Sequence, residues 1–152
     1  TRGIQMKLAI ADDHGGFELK NSIKHDLEVR YPDLTILDLG VNAPDSVDYP
    51  DFADKVAQAI RVGAVDRGIL VCGTGIGMCI RANKFPGIRA AVVFDPYTAQ
   101  MAKAHNDANI ICLGGRTTSP ETAIQMVQTW LDTPFEGGRH VRRVEKLDGP
   151  VG

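Results

Sequence analysis

The sequence predicts an α/β fold of three layers, a doubly wound, Rossmann-like arrangement in which helices cover both faces of a five-stranded parallel sheet. Short apolar segments alternate with amphipathic segments along the whole chain, and strands that alternate with helices usually form parallel sheets. The third apolar segment, GILVC, has no polar position, as expected for a strand that is buried on both faces. Both observations favour the same fold class.

The bounds of each element follow from its pattern of residues. Phe17, Ile23 and Leu27 recur at helical spacing after the first strand. Asp95 and Ser119 each precede a proline, which is typical of an N-cap followed by the first helical residue. The predicted strands are residues 6–11, 34–39, 68–72, 88–94 and 109–113, and the predicted helices are residues 17–30, 51–63, 77–84 and 96–105, one that begins at 119, and a polar C-terminal one at 138–147.

The length and composition indicate a single domain, residues 1–152, with residues 1–5 as a tail outside the fold. Basic and acidic residues are interspersed and the formal net charge is −2, which argues against a nucleic-acid partner. Since no apolar run approaches the length of a membrane span, we expect no membrane partner. The three cysteines include no CxxC pair, so we expect reduced thiols and a cytoplasmic location.

The topology also indicates where a ligand binds. In parallel sheets of this class, ligands lie beyond the carboxyl ends of the strands, where the strand order reverses. The first strand leads to Asp13 and His14, the third ends at Cys72, and Arg116 follows the fifth. We therefore expect these side chains at one edge of the sheet. His105 precedes the fifth strand, so it is expected at the opposite edge of the same subunit.

A glycine-rich turn follows the third strand in the stretch LVCGTGIGMCI, residues 70–80. Gly73, Gly75 and Gly77 allow a sharp turn, so that successive amide N–H groups can converge on a phosphate or an oxyanion. The turn is not a P-loop because no Lys-Ser/Thr pair follows it, and it does not match GxGxxG. The turn therefore predicts an anion site.

The cysteines divide into one functional candidate and two core residues. Cys72 stands at the strand end, facing the start of a short predicted helix, where a thiol is readily ionised and can act as a base or a nucleophile. The alternative interpretation of Cys72 is a small buried apolar residue. Cys79 lies within the short helix and Cys112 within an apolar strand, and both are interpreted as core.

Several motifs together resemble ribose-5-phosphate isomerase type B, within a wider group that includes galactose-6-phosphate isomerase subunits. The resemblance spans about residues 6–147. It implies an aldose–ketose isomerase of carbohydrate metabolism, in the pentose phosphate pathway, that works without a metal or cofactor on a small sugar phosphate. The motifs are DHGGF at 13–17, SVDYP at 46–50, CGTGIGM at 72–78, ANK at 82–84, PGIRA at 86–90, HNDAN at 105–109 and EGGRH at 136–140.

The resemblance assigns a role to each matching residue. Cys72 is the base that moves a proton between C2 and C1 through a cis-enediolate. His105 opens the sugar ring with help from Asp13, and Asn106 binds a sugar hydroxyl. The enediolate oxygens are held by Thr74 and by the backbone of Gly73, Gly75, Ile76 and Gly77, and the phosphate is held by His14, Arg116, Arg139 and Arg143.

The resemblance also implies an active site that lies between two subunits of a homodimer or a tetramer. One subunit supplies Cys72, the glycine turn and Asp13, whereas the other supplies His105, Asn106 and some of the arginines. This division agrees with the opposite edges that the topology predicts. Residues 138–152 are then expected to form a C-terminal helical arm that packs on the partner subunit.

Some residues stay without an assigned role. Tyr49 either contacts the sugar or only anchors its loop. Arg81 stands where many relatives have a small residue, and Arg142 matches no family role. One branch of the family uses a glutamate as the base, and Cys72 places this chain in the other branch.

Three other functions are weighed against this one. A response-regulator receiver needs an aspartate at the end of its third strand and a lysine after its fifth, where this chain has Cys72 and Arg116. A thiol-dependent phosphatase needs an arginine at residue 78, which is Met78. Within the isomerases, a six-carbon sugar phosphate such as allose 6-phosphate or galactose 6-phosphate is the alternative substrate.

Overall fold

The computed structural model describes residues 5–151 and confirms the predicted five-stranded parallel sheet. The strand order is β2-β1-β3-β5-β4, and each neighbouring pair is parallel. Apart from Gln5, the predicted tail lies outside the described residues. The strands are β1 (Lys7–Asp12), β2 (Thr35–Asp38), β3 (Arg67–Cys72), β4 (Ala90–Val92) and β5 (Ile110–Gly114).

Helices cover both faces of the sheet, which confirms the three layers. A short 3-10 turn, His14–Gly16, precedes the first helix. The helices are α1 (Phe17–Arg30), α2 (Tyr49–Arg61), α3 (Ile76–Ala82), α4 (Pro96–Ala104), α5 (Pro120–Asp132) and α6 (Arg139–Asp148). Helices α1, α4 and α5 share one apolar core, which includes the fully buried Trp130, whereas α2 and α3 pack with Met78 on the other face. Within residues 5–151, no helix is both long enough and apolar enough to cross a membrane.

The predicted N-caps are confirmed. Asp95 accepts a hydrogen bond from the Thr98 amide at 2.7 Å, and Ser119 accepts one from the Thr122 amide at 3.2 Å. Each side chain satisfies a backbone N–H that has no partner within its helix. The start of α4 and the start of α5 are therefore set locally.

Strand β4 is shorter than the predicted residues 88–94. At its beginning, the Ile88 amide bonds to the Phe85 carbonyl in a turn, and the Arg89 amide bonds to the Asn109 side chain at 2.8 Å. At its end, the Phe94 amide bonds to the Thr98 hydroxyl at the start of α4. These amides are bonded outside the strand ladder, so β4 forms regular pairs only over Ala90–Val92.

A buried charge cluster anchors the loop between β2 and α2. The Lys20 ammonium lies 3.3 Å from Asp12 and 3.2 Å from Asp38, and it donates to the Val41 carbonyl at 2.7 Å. Asp12 is fully buried, which raises the pKa of its carboxyl group, while the nearby Lys20 opposes that shift. The cluster ties α1, β1, β2 and this loop together, and α2 begins from the loop at Tyr49.

Candidate active site

The carboxyl ends of β1 and β3 form the point at which the strand order reverses. From β1 the chain passes to β2 on one side, and from β3 it passes to strands on the other side, which is where ligands bind in open α/β sheets. An open cavity of about 490 Å³ lies at this edge. It is lined by Asp13, Tyr49, Cys72, Gly73, Thr74, Ile76, Gly77, Ile80 and Arg116, which we call the thiol site. Seven of these nine residues are sequence-predicted site residues.

The Cys72 thiol is held at the end of β3 and is 5% exposed. The Gly75 amide donates a hydrogen bond to its sulfur at 3.2 Å. Gly75 has a φ of +84°, a left-handed conformation that favours glycine, and it directs the chain back over the sulfur. The sulfur is therefore held at the wall of the cavity.

Neighbouring loops hold the glycine turn in place. The Gly115 amide donates to the Cys72 carbonyl at 2.7 Å, and the Arg116 amide donates to the Gly73 carbonyl at 3.0 Å. A Cβ placed on Gly73 would lie 3.2 Å from Nη1 of Arg116, so this guanidinium lies over the turn. His14 is exposed in the 3-10 turn at the same edge. The edge thus combines a thiol, a carboxylate, backbone amides and cationic side chains, which suits proton transfer on an anionic substrate.

Two side chains add apolar surface to the thiol site: Tyr49, for which the sequence left open a sugar contact or a loop anchor, and Ile80, which was not predicted. The Tyr49 ring lies against the glycine turn, since a Cβ placed on Gly77 would be 2.5 Å from Cε1 of the ring. Ile80 is one helical turn beyond Ile76, and both are exposed on the cavity side of α3. The spacing of Ile76 and Ile80 on a short helix was the available sequence signal for a second cavity wall.

Arg81 has a structural partner. Its guanidinium forms two hydrogen bonds with the Asp54 carboxylate, at 2.6 and 3.0 Å, and lies 5.6 Å from the centre of the Phe85 ring. Asp54 belongs to α2, so the ion pair links α2 to α3. We assign Arg81 to this link between helices, and it does not line the thiol site.

The remaining predicted site residues lie at the other edge of the sheet. Gly68 pairs with Ile110 and Cys72 pairs with Gly114, so the segment that leads from His105 into β5 enters at the end of β3 opposite to Cys72. Four residues of strand correspond to roughly 13 Å. Asn106 lines a separate cavity of about 370 Å³ at this edge, and Arg139 and Arg143 are exposed on α6. One chain therefore does not bring these residues together with the thiol.

Three side chains form what we call the histidine cluster, which consists of His105, Glu136 and His140. The two imidazole rings are stacked, with centres 4.2 Å apart and planes 13° from parallel. Glu136 faces both rings, with one oxygen 3.6 Å from Nε2 of His105 and the other 3.4 Å from Nε2 of His140. Burial and the positive charges of His105 and Arg139 lower the pKa of His140. His140 is therefore neutral near pH 7.

The histidine cluster also has the composition of a metal site, because its three ligand atoms lie within 4.8 Å of one another. Nearly parallel rings, however, direct their nitrogen lone pairs side by side, whereas the ligands of zinc must converge on one point. A bound cation would also face the nearby Arg139 and Arg143, whose charges already act on His140. The stacked arrangement suits proton exchange better than metal binding.

Cys79 was predicted as a core residue, but its thiol has polar neighbours. It is half-buried, its thiol donates to the Ala90 carbonyl at 3.4 Å, and it accepts from the Asn83 side chain at 3.6 Å. Its interactions with Cys112, with the Val92 backbone and with Asn83 outweigh burial and lower its pKa to about 7. Cys112 is fully buried, and burial raises its pKa well above the usual value. The interpretation of Cys112 as core is therefore confirmed, whereas that of Cys79 is incomplete because its neighbours favour the thiolate.

This difference predicts unequal alkylation of the two thiols. In the folded protein, iodoacetamide is expected to label Cys79 with a rate that rises through about pH 7 and then levels off, because the thiolate is the reactive form. Cys112 is expected to be labelled only after unfolding. Peptide mapping by mass spectrometry over pH 5.5–9 distinguishes the sites, and Cys79→Ser is the control. A rate for Cys79 that still rises above pH 8.5 would contradict the lowered pKa.

Comparison with known proteins covers nearly the whole chain. Residues 8–147 match the ribose/galactose isomerase family. The chain is 45% identical over 141 residues to ribose-5-phosphate isomerase B of Escherichia coli, with 93% of each chain covered. It is also 45% identical over 143 residues to D-erythrulose-4-phosphate isomerase of Pectobacterium atrosepticum, again with 93% of each chain covered. A structure of ribose-5-phosphate isomerase B from Clostridium thermocellum matches with a TM-score of 0.91 and 50% identity, covering 94% of this chain and 95% of that one.

Proposed function

The chain belongs to the ribose/galactose isomerase family and is an isomerase, and on that premise we propose that it interconverts D-ribose 5-phosphate and D-ribulose 5-phosphate. The observation that best supports this is the Cys72 thiol, held by the Gly75 amide in an open cavity beside Asp13 and Arg116. The proposal agrees with the names of the E. coli and C. thermocellum relatives.

The thiol site supplies the groups that an aldose–ketose isomerisation needs. The Cys72 thiolate removes the proton from C2 and returns it to C1, and the intermediate is a cis-enediolate. Its negative oxygens are stabilised by the Thr74 hydroxyl and by amides of the glycine turn, which act as preorganised donors. Amides and a hydroxyl stabilise this charge directly, so the proposed reaction needs no metal or cofactor.

The opposite edge supplies the ring-opening and phosphate-binding groups, and we place it in a second subunit. His105 donates a proton near neutral pH, Asn106 binds a sugar hydroxyl, and Arg139 and Arg143 join His14 and Arg116 on the phosphate. Both sets are needed in one site, yet they lie at opposite edges of one chain. The proposed minimum active unit is therefore a homodimer, and a tetramer would contain two such units.

Helix α6 is the proposed arm between subunits. Its inner face contacts its own chain, because His140 and Val144 are buried and Asp148 forms an ion pair with Arg89 at 2.9 Å. Its outer face is exposed and includes Arg143 and Val141. This exposed face is where we propose that residues 138–152 pack on the partner.

Two other sugar phosphates are candidate substrates. A four-carbon substrate is favoured by the 45% identical relative named D-erythrulose-4-phosphate isomerase. A six-carbon substrate, allose 6-phosphate or galactose 6-phosphate, is favoured by the family description, which includes galactose isomerases. All three classes use the same C1–C2 chemistry and differ only in the length of the chain between C2 and the phosphate.

The deciding experiment compares these substrates in excess chelator. The purified protein is incubated with ribose 5-phosphate, erythrose 4-phosphate, allose 6-phosphate or galactose 6-phosphate, each with EDTA, and the ketose is measured directly. The largest kcat/KM is expected for ribose 5-phosphate. A larger value for another sugar phosphate would assign the substrate to that class, and loss of activity with EDTA would contradict metal-free catalysis.

A substitution in the glycine turn tests the role of Tyr49. In Gly77→Ala, the new Cβ is expected to displace the Tyr49 ring and so raise the KM for the sugar phosphate. Since the clash involves the end of a side chain that is 39% exposed, the free energy of unfolding should change by less than about 1 kcal/mol. KM and thermal unfolding are measured together.

The double variant identifies the cause. If Gly77→Ala acts through the ring, Tyr49→Ala alone and the double variant Gly77→Ala/Tyr49→Ala should have the same KM, because contacting residues are not additive. An unchanged KM in Gly77→Ala would show that the Tyr49 ring does not shape the substrate site.

A further inference from the structure

We propose that Glu136 and His140 are positioning residues that hold the imidazole of His105 as the proton donor for opening the sugar ring. The inference rests on the proposed function and adds two residues to it. It starts from the histidine cluster, in which His105 at the end of α4 contacts two side chains of residues 136–140.

The backbone fixes Glu136 relative to His105. The Glu136 amide donates to the carbonyl of Ala104, the residue before His105, at 3.0 Å. Gly137 and Gly138 then turn the chain with φ values of +69° and +57°, conformations that favour glycine. The turn leads into α6, where the His140 side chain is 8% exposed. The carboxylate and the second imidazole are thus both held against His105, which is 35% exposed and can reach a ligand.

The charges around the cluster favour one protonated imidazole. Glu136 faces Nε2 of both rings, while the positive charges of Arg139 and Arg143 on α6 lower the pKa of His140. Two charged rings 4.2 Å apart would repel each other, and burial keeps His140 neutral. The Glu136 carboxylate, 3.6 Å from Nε2 of His105, is placed to hold this ring by a charged contact while it donates its proton.

The ring-opening step balances with these groups. The proton of His105 goes to the ring oxygen, and the electron pair of the bond between C1 and that oxygen goes with it. The hydroxyl at C1 loses its proton to a carboxylate, which in the proposed site is Asp13 of the other subunit, and a C1 carbonyl forms. Glu136 and His140 do not touch the reacting atoms, since they act through His105.

Erythrose 4-phosphate separates ring opening from isomerisation. Its O4 carries the phosphate, so it cannot close a five-membered ring, whereas ribose 5-phosphate is mostly cyclic. In Glu136→Gln and in His140→Asn, kcat/KM for ribose 5-phosphate is expected to fall by about 100-fold, within the range of a general acid. The value for erythrose 4-phosphate should fall by less than about 3-fold. Glu28→Gln, at an exposed residue of α1 that the proposal does not use, is the control and should change neither value.

A second readout uses ribose 5-phosphate with deuterium at C2. In Glu136→Gln the isotope effect on kcat/KM is expected to approach 1, because ring opening becomes slower than removal of the C2 proton. Equal losses on both substrates with an unchanged isotope effect would overturn the positioning role. If the wild type does not act on erythrose 4-phosphate, the isotope effect alone decides. A wild type inactive on both substrates would overturn the proposed function itself.

Discussion

Cys72→Ala is expected to lower kcat for ribose 5-phosphate by roughly 1,000-fold, the typical contribution of a general base. The substitution removes the proposed base, which is the Cys72 sulfur that the Gly75 amide holds in the thiol site. Removing it leaves the amides and Arg116 to bind substrate without a base for the C2 proton. The measurement is ketose formation in EDTA by the purified variant, with its thermal unfolding recorded beside that of the wild type.

Two further variants test whether the effect belongs to the base. Cys72→Ser keeps the size of the side chain, but its hydroxyl does not ionise near neutral pH, so it should be as inactive as Cys72→Ala. Cys79→Ala removes a thiol that does not line the cavity and should keep most of the activity. Full activity in Cys72→Ala would mean that another group removes the C2 proton.

The thiol site was predictable because it depends on topology. Once the strands are known to be parallel, Asp13, Cys72 and Arg116 must lie at one edge, and the structure places all three around one cavity. The same argument puts His105 at the opposite edge. N-caps such as Asp95 were predictable because the capping side chain and its amide partner are only three residues apart.

Contacts between distant elements were not predictable from one sequence. The pairing of buried Lys20 with Asp12 depends on how α1 packs on the sheet, and charged residues are normally expected at the surface. The thiolate character of Cys79 depends on Cys112, which lies on a strand beneath it. The stacking of His105 on His140 likewise requires the end of α4 to meet the start of α6. Periodicity describes which face of an element is apolar, but not which side chains meet across elements.

Mixing two inactive variants is expected to restore activity if the site is shared between subunits. When Cys72→Ala and His105→Asn chains are coexpressed in equal amounts, half of the dimers contain one chain of each kind. In such a dimer, one site carries both substitutions and the other carries neither. The mixture should therefore reach about one quarter of the wild-type activity, since a symmetric dimer has two equivalent sites.

The matched control pairs Cys72→Ala with Asp13→Asn. Both residues line the same cavity of one chain, so each mixed dimer then has one damaged group in each site and no activity should return. Different affinity tags on the two chains allow mixed dimers to be isolated, and isolated Cys72→Ala/His105→Asn dimers should reach about one half of the wild-type activity. Recovery in the first pair but not in the second would show that the thiol and the histidine come from different subunits. Failure of both pairs would require His105 to act on substrate at Cys72 of its own chain, across at least the roughly 13 Å of strand between Gly68 and Cys72.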